Sequence, residues 1–150
     1  MTIRLTAASL AAMLGFFSLT EAAAADLTVT VDNLRSSSGQ VILCVFSAVS
    51  SDKAAFPDCA KGRPVREGKS AIGSGKVVMT YKGLKDGIYA VAVIHDENGN
   101  GELDTNFLNI PTEGVGVSNN PRLFGKPDFE GAKFEVKGKT AITINPKYIL

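Results

Sequence analysis

The chain has 150 residues, of which 45% are hydrophobic and 21% are charged, and its formal net charge at pH 7 is +1. This length suits one domain with its own hydrophobic core and is too short for two domains of ordinary size. The sequence is nearly neutral and has no basic stripe and no polybasic patch, so we expect neither a nucleic-acid partner nor a site for anionic lipid.

The first 25 residues have the pattern of a cleavable secretory signal. Arg4 precedes an apolar stretch over residues 7–19, and small residues then end at Ala25, which is the order of charge, apolar core and cleavage site in export signals. An uncleaved anchor is the less favoured alternative, because the stretch is shorter than the roughly 20 residues that span a bilayer. We predict a signal peptide at residues 1–25, one domain at residues 26–150, a periplasmic or secreted location, and no stable membrane insertion after cleavage.

Six stretches after the signal have the alternating or continuous apolar pattern of β-strands. They cover residues 27–31, 41–46, 76–81, 88–95, 133–136 and 141–144. The turn at Gly138 and Lys139 predicts that the last two form a hairpin. We interpret residues 47–75 and 96–131 as long connections without a helix. The sequence therefore predicts an all-β domain of about six to seven strands, folded as a two-sheet antiparallel immunoglobulin-like sandwich.

Both cysteines, Cys44 and Cys59, follow the predicted signal. An exported chain enters an oxidising compartment, where a pair of cysteines in a small domain commonly forms a disulfide. The alternative is a buried Cys44 and an unrelated Cys59. We predict the disulfide between them.

The passage Gly-Leu-x-x-Gly-x-Tyr ends at Tyr89, near the start of the fourth predicted strand. It is similar to the strand-entry corner of immunoglobulin-like and transthyretin-like sandwiches, where a tyrosine hydrogen-bonds to the preceding turn. Ordinary core packing of Tyr89 is the alternative.

Residues 96–104 directly follow a predicted strand and match the pattern Asp-x-Asx-x-Asx-Gly-x-x-Asp of calcium loops. The predicted metal ligands are the side chains of Asp96, Asn98, Asn100 and Asp104 and the backbone carbonyl of Glu102. Phe107 at the twelfth position excludes an EF-hand, which needs a bidentate carboxylate there. The sequence predicts a structural Ca²⁺ ion, and a metal-free turn built on two Asn-Gly dipeptides is the alternative.

The block from Gly87 to Asp104 and the segments 106–114, 117–120 and 127–134 resemble a bacterial exported family called domain of unknown function 2141. The resemblance extends from about Leu27 to Ile144. It implies a small periplasmic or secreted protein, similar in outline to immunoglobulin-like sandwiches, with no agreed biochemical activity. Asn109 stands where the family pattern has glycine, and Val117 where it has an aromatic residue, so the loop over residues 107–120 is expected to pack differently here.

Two functional hypotheses follow. The first is a non-enzymatic binding or interaction module for an unknown protein or glycan ligand, in which the ion orders the loop beside it. The residues that would support the metal loop or contact the ligand are His95, Glu113, Ser118, Asn119 and Asn120. The alternative is a small periplasmic hydrolase, for example one acting on glycans, that uses His95, Asp96 and Glu113. A single histidine and the absence of tryptophan weaken the hydrolase hypothesis.

Overall fold

The computed structural model describes residues 24–122 and 124–150, so the predicted signal peptide lies outside the described residues apart from its last two alanines. The described part forms eight β-strands and one short α-helix. In chain order they are β1 (Ala24–Val31), β2 (Gln40–Ser47), β3 (Arg66–Ala71), β4 (Val77–Lys85), β5 (Gly87–Asp96), β6 (Gly114–Val117), α1 (Phe129–Ala132), β7 (Phe134–Val136) and β8 (Lys139–Ile144). Within these ranges no helix is long and apolar enough to cross a membrane.

The strands form two sheets, which confirms the predicted all-β fold of two mainly antiparallel sheets. The first sheet has the order β4-β1-β8, and the second has the order β3-β2-β5-β6, with β7 also paired to β5. Every pairing is antiparallel except that of β1 with β8, which is parallel. A parallel pair needs a long crossover, and here the rest of the domain supplies it.

The main core lies between the two sheets and follows the period-two pattern of the strands. Alternate residues of β1, Leu27, Val29 and Val31, are fully buried there. The intervening residues of β1 are only partly buried. This alternation is what a sheet with one wet face requires.

Strand β2 in the second sheet is buried on both faces, as the continuous apolar run over residues 41–46 predicts. Its outer face packs against the segment between β2 and β3 and against α1. The rings of Phe46 and Phe56 meet edge to face with centroids 5.1 Å apart, and those of Phe56 and Phe129 do so at 5.9 Å. The predicted disulfide is confirmed: Cys44 in β2 bonds to Cys59 in that segment, with Cα atoms 6.0 Å apart.

Both of the alternatives considered for Tyr89 in the sequence are present in the structure. Tyr89 is buried in the main core, and its hydroxyl donates to the carbonyl of Lys85 at 2.8 Å, across the turn between β4 and β5. Core packing and the hydrogen bond therefore occur together at this position.

The predicted hairpin between the last two strands is wrong. The strand β7 pairs with β5 in the second sheet, whereas β8 pairs with β1 in the first. Gly138, with φ at +56°, turns the chain from one sheet to the other. A short turn shows only that two strands are close together in the sequence, and it does not determine that they pair. Here β7 and β8 pair with strands of different sheets.

Three elements lie within the regions interpreted as connections. Strand β3 is mostly exposed, so it has no apolar run to identify it. Strand β6 interrupts the loop expected over residues 107–120. Helix α1 has only four residues and begins after Asp128, whose carboxylate accepts from the backbone N–H of Gly131 at 2.8 Å.

Candidate functional site

The predicted metal loop lies at one end of the second sheet, where three strands begin or end side by side. Asp96, the last residue of β5, is opposite Gln40, the first residue of β2. His95 is opposite Gly114, the first residue of β6. The polar residues of the site therefore come from strand ends brought together by the sheet, together with the connection over residues 97–113.

Asp96 is fully buried and organises the start of this connection. Its carboxylate accepts from the Gln40 amide at 2.7 Å and from the backbone N–H groups of Gly101 at 2.8 Å and Asn100 at 3.1 Å. Burial by itself would raise the pKa of Asp96, but these hydrogen bonds favour the charged form and lower the pKa below its ordinary value. The loop is thus wrapped around a buried negative charge.

The side chains of Asn98, Asn100 and Asp104 meet on the outer side of the same loop. Both amide nitrogens donate to the Asp104 carboxylate, that of Asn100 at 3.0 and 3.2 Å. The amide oxygens accept from backbone N–H groups two residues further on, at 3.0 Å for Asn98 and 2.9 Å for Asn100. Gly99 and Gly101 have φ of +73° and +87°, a conformation that glycine adopts without strain.

These contacts resemble a hydrogen-bonded turn more than a set of oxygens facing one centre. Across residues 24–122 and 124–150, no three His, Cys, Asp or Glu side chains are grouped so that they could hold a metal ion. The Glu102 side chain is exposed. The calcium ion stays a prediction.

Glu113 ties the two ends of the loop together. Its side chain is 4% exposed, and its two carboxylate oxygens accept from the backbone N–H of Glu97 at 2.9 Å and of Asp104 at 3.1 Å. Thr112 adds a backbone hydrogen bond to the Asp104 carbonyl at 3.0 Å. Glu113 is therefore hydrogen-bonded to the backbone at both ends of the loop.

Beyond Asp104 the chain forms a small hydrogen-bonded hairpin over residues 105–111, closed by a bridge between Thr105 and Pro111. Inside it, the side chain of Asn106 accepts from the backbone N–H groups of Leu108 at 2.9 Å and Ile110 at 3.0 Å. Asn109 has φ of +58°. Asparagine tolerates this conformation, which accounts for its replacing the expected glycine.

The hairpin presents two apolar side chains to solvent. Phe107 is 91% exposed and Leu108 is 61% exposed. We call this pair the Phe–Leu tip. Both side chains follow Asn106, whose hydrogen bonds hold the backbone around them.

His95 is fully buried, and neither of its ring nitrogens is hydrogen-bonded to a predicted ligand side chain. Its Nε2 lies 3.0 Å from the carbonyl of Ser38, and its Nδ1 lies 2.7 Å from the hydroxyl of Tyr148. A carbonyl only accepts, so Nε2 donates to Ser38; in a neutral ring, Nδ1 then accepts from the Tyr148 hydroxyl. Both ring nitrogens are therefore occupied by structural hydrogen bonds.

Arg35 and Tyr148 form a cluster with His95 and Glu97 behind the acidic loop. Neither Arg35 nor Tyr148 was predicted from the sequence. The Arg35 guanidinium lies 4.5 Å from the Tyr148 ring centre and pairs with the carboxylate of Glu97. This hydrogen-bonded ion pair is the main reason that the pKa of Glu97 is lowered. Gly114 permits the packing, because a Cβ there would lie 2.4 Å from the Tyr148 ring. Only the meeting of distant segments creates this cluster, so no local pattern marks it.

Three other predicted site residues lie away from the loop, beyond the far end of β6. The Ser118 hydroxyl donates to the carbonyl of Ala132, and the Asn119 amide donates to the carbonyl of Lys133 at 2.9 Å. The Asn120 amide donates to the carbonyl of Thr143 at 2.8 Å. These side chains join segments of backbone and are not brought together with residues 96–113.

The geometry gives the hydrolase hypothesis no accessible catalytic group. His95, Asp96 and Glu113 are all buried, and each has its polar atoms bonded within the protein. A general acid or base has to reach the substrate directly or through one water molecule.

The fold and the site define a class: a small disulfide-bonded β-sandwich with an acidic loop and an exposed apolar hairpin at one end. The chain belongs to the family described as uncharacterized protein conserved in bacteria, DUF2141, whose family model matches residues 29–144. This confirms the resemblance noted in the sequence. No curated protein and no solved structure matches the chain significantly.

Proposed function

We propose that this protein is an exported, non-enzymatic binding module, that its contact surface is the Phe–Leu tip, and that the partner is a protein or a glycan. The observation that carries the proposal is the exposure of Phe107, 91%, on a hairpin held by internal hydrogen bonds. An apolar pair held out by ordered backbone loses little conformational freedom on binding, which favours recognition.

The attachment of the hairpin to the domain supports the same proposal. Glu113 and Thr112 bind the hairpin's base to the acidic loop, and Asp96 binds that loop to β2 through Gln40. Loops that a rigid β-scaffold positions are frequent sites of recognition. The tip is therefore connected to the core through a short series of hydrogen bonds, two of them partly buried.

We also propose that residues 96–104 take up a Ca²⁺ ion with a structural role. Asp96, Asn98, Asn100 and Asp104 already lie in one curled loop, and the two amides lie against the Asp104 carboxylate. If each amide turned so that its oxygen and the Asp104 carboxylate faced a common ion, the loop would supply the oxygen ligands that Ca²⁺ prefers. The ion would replace the amide–carboxylate hydrogen bonds and stiffen the base of the tip.

Thermal unfolding in a calcium titration tests the ion. An ion that binds only the folded chain stabilises it by mass action, by about 2.7 kcal/mol at a concentration 100 times Kd. We expect the midpoint to rise in wild type and to stay constant in Asp104→Ala, which loses both oxygens and the charge of a proposed ligand. Glu102→Gln is the matched control, because it removes one negative charge from the same loop on an exposed side chain, and it should respond as wild type does.

A midpoint that does not change with millimolar calcium would leave residues 96–104 as a metal-free turn. An equal loss of response in Glu102→Gln would mean that calcium acts through the general charge of the loop and not through a coordinated site.

Site-specific crosslinking in the native periplasm tests the contact surface. Replacing Phe107 and Leu108 by serine should lower the yield of crosslinked complex tenfold or more, because the residues at the centre of an interface carry most of its affinity. Val49→Ser is the matched control: Val49 is 94% exposed and follows β2 at the opposite end of the second sheet. Equal losses in both variants would exclude the tip as the specific contact.

A further inference from the structure

Strand β1 begins two residues before the domain boundary that the sequence predicts. Ala24 is exposed, but Ala25 is 0% exposed and belongs to the core between the two sheets. In the pairing of β1 with β4, Ala24 is opposite Lys85 and Ala25 is opposite Leu84, which is itself buried. The structural domain therefore includes Ala25.

Removing Ala25 would open this corner of the core. Leu84 would lose its cross-strand neighbour at the place where β4 turns into β5. The carbonyl of Lys85, at the same corner, holds the hydroxyl of Tyr89 at 2.8 Å. Ala24, by contrast, adds no buried side chain.

The sequence around the four alanines allows two cleavage positions. Signal cleavage needs small residues at the first and third positions before the cut. A cut after Ala24 uses Ala22 and Ala24, and a cut after Ala25 uses Ala23 and Ala25. A cut after Ala23 would place Glu21 at the third position.

We infer that the signal peptide is removed between Ala24 and Ala25, so that the exported protein begins with Ala25. This position satisfies the small-residue rule and keeps every buried residue of β1 in the mature chain. The inference rests on the export that forms part of the proposed function. It moves the processing site one residue from the boundary predicted from the sequence alone.

N-terminal sequencing and the intact mass of the full chain, expressed with its own signal and recovered from the periplasm, test the inference. We expect a single mature form that begins with Ala25. A form that begins with Asp26, or at any other residue after cleavage, overturns the inference and leaves the export proposal standing. A chain recovered only with residues 1–24 still attached overturns both.

Two variants that leave the mature chain unaltered provide a matched pair. Ala22→Glu removes the small third residue of the inferred cut, so the product that begins with Ala25 should be lost. Ala23→Glu removes the small third residue of the alternative cut, so the same product should form as in wild type. The opposite result, loss of processing in Ala23→Glu alone, would assign the cut to the bond after Ala25.

Discussion

Glu113 shows how one buried carboxylate can order a whole connection. Its two oxygens hold the backbone N–H groups of Glu97 and Asp104, which are separated along the chain but adjacent in space. Buried N–H groups without acceptors are costly. The two side-chain oxygens are therefore placed where they satisfy two backbone donors.

Tyr89→Phe tests the corner between β4 and β5 at the level of a single hydroxyl. The variant loses the partly buried hydrogen bond to the Lys85 carbonyl, so the free energy of unfolding should fall by about 1 kcal/mol. Urea unfolding measures it. Tyr81→Phe is the control, because the Tyr81 hydroxyl lies 3.5 Å from the Met79 sulfur, a weak contact, and the change should stay within about 0.5 kcal/mol. Equal losses in the two variants would contradict a specific contribution of the hydrogen bond between Tyr89 and Lys85.

The carboxylate of Asp96 should make the free energy of unfolding depend on pH in the acidic range. Its pKa in the folded protein is lowered from the ordinary value of 3.8, so its charge stabilises the fold above that pH and the contribution is lost as the pH falls through the folded value. We expect Asp96→Asn, unfolded with urea in a chelator, to lose about 2 kcal/mol at pH 6 and much less in acid. Asp86→Asn, at an exposed turn, is the control. A constant deficit of Asp96→Asn across this pH range would exclude the ionised carboxylate as the cause.

At the level of elements, the segment between β2 and β3 behaves as a cover for the second sheet. Its Phe56 inserts between Phe46 and Phe129, and its Cys59 is bonded to β2. The continuous apolar run of β2 needs such a cover, because otherwise its outer face would be wet. A segment that looks like an unstructured connection in the sequence is thus a packed layer.

The disulfide should contribute strongly to this arrangement. It joins residues 15 apart in the chain, and the chain-entropy model gives about 3 kcal/mol for a loop of this size. The double variant Cys44→Ala, Cys59→Ala should lose about that much free energy of unfolding in urea, and wild type should approach the variant when reductant is added. Reductant should not affect the variant further. A stability unchanged by either treatment would mean that Phe56 packing alone holds the segment.

On the scale of the whole molecule, the chain closes the domain by pairing its first described strand with its last. β1 lies between β4 and β8, and its parallel partner β8 comes from the other end of the chain. The C-terminal segment then continues past β8, so that Lys147 bridges to Val115 of β6. Both ends of the described chain are thereby built into the sheets, which is why the structural domain includes Ala25.

The same closure creates the cluster behind the acidic loop. Arg35 follows β1, His95 and Glu97 lie at the end of β5, and Tyr148 follows β8. Residues more than 50 positions apart thus share hydrogen bonds, as His95 and Tyr148 do at a separation of 53. These contacts hold the end of the sheet from which the acidic loop and the Phe–Leu tip extend.

The sequence by itself determined what depends on near neighbours. Period-two and continuous apolar runs located most strands, a pair of cysteines after a predicted export signal indicated the disulfide, and the turn around Gly101 was readable from its glycines and acidic residues. Such signals are local because side-chain direction and turn conformation depend on a few adjacent residues. They also located the acidic loop correctly at the end of β5.

Only the tertiary structure decided which strands pair and which polar groups are buried. The separation of β7 from β8, the burial of Glu113 and His95, and the meeting of Arg35 with Tyr148 depend on contacts between distant segments. The free energy of those contacts comes from packing and hydrogen bonding between the sheets, and local sequence patterns do not contain it.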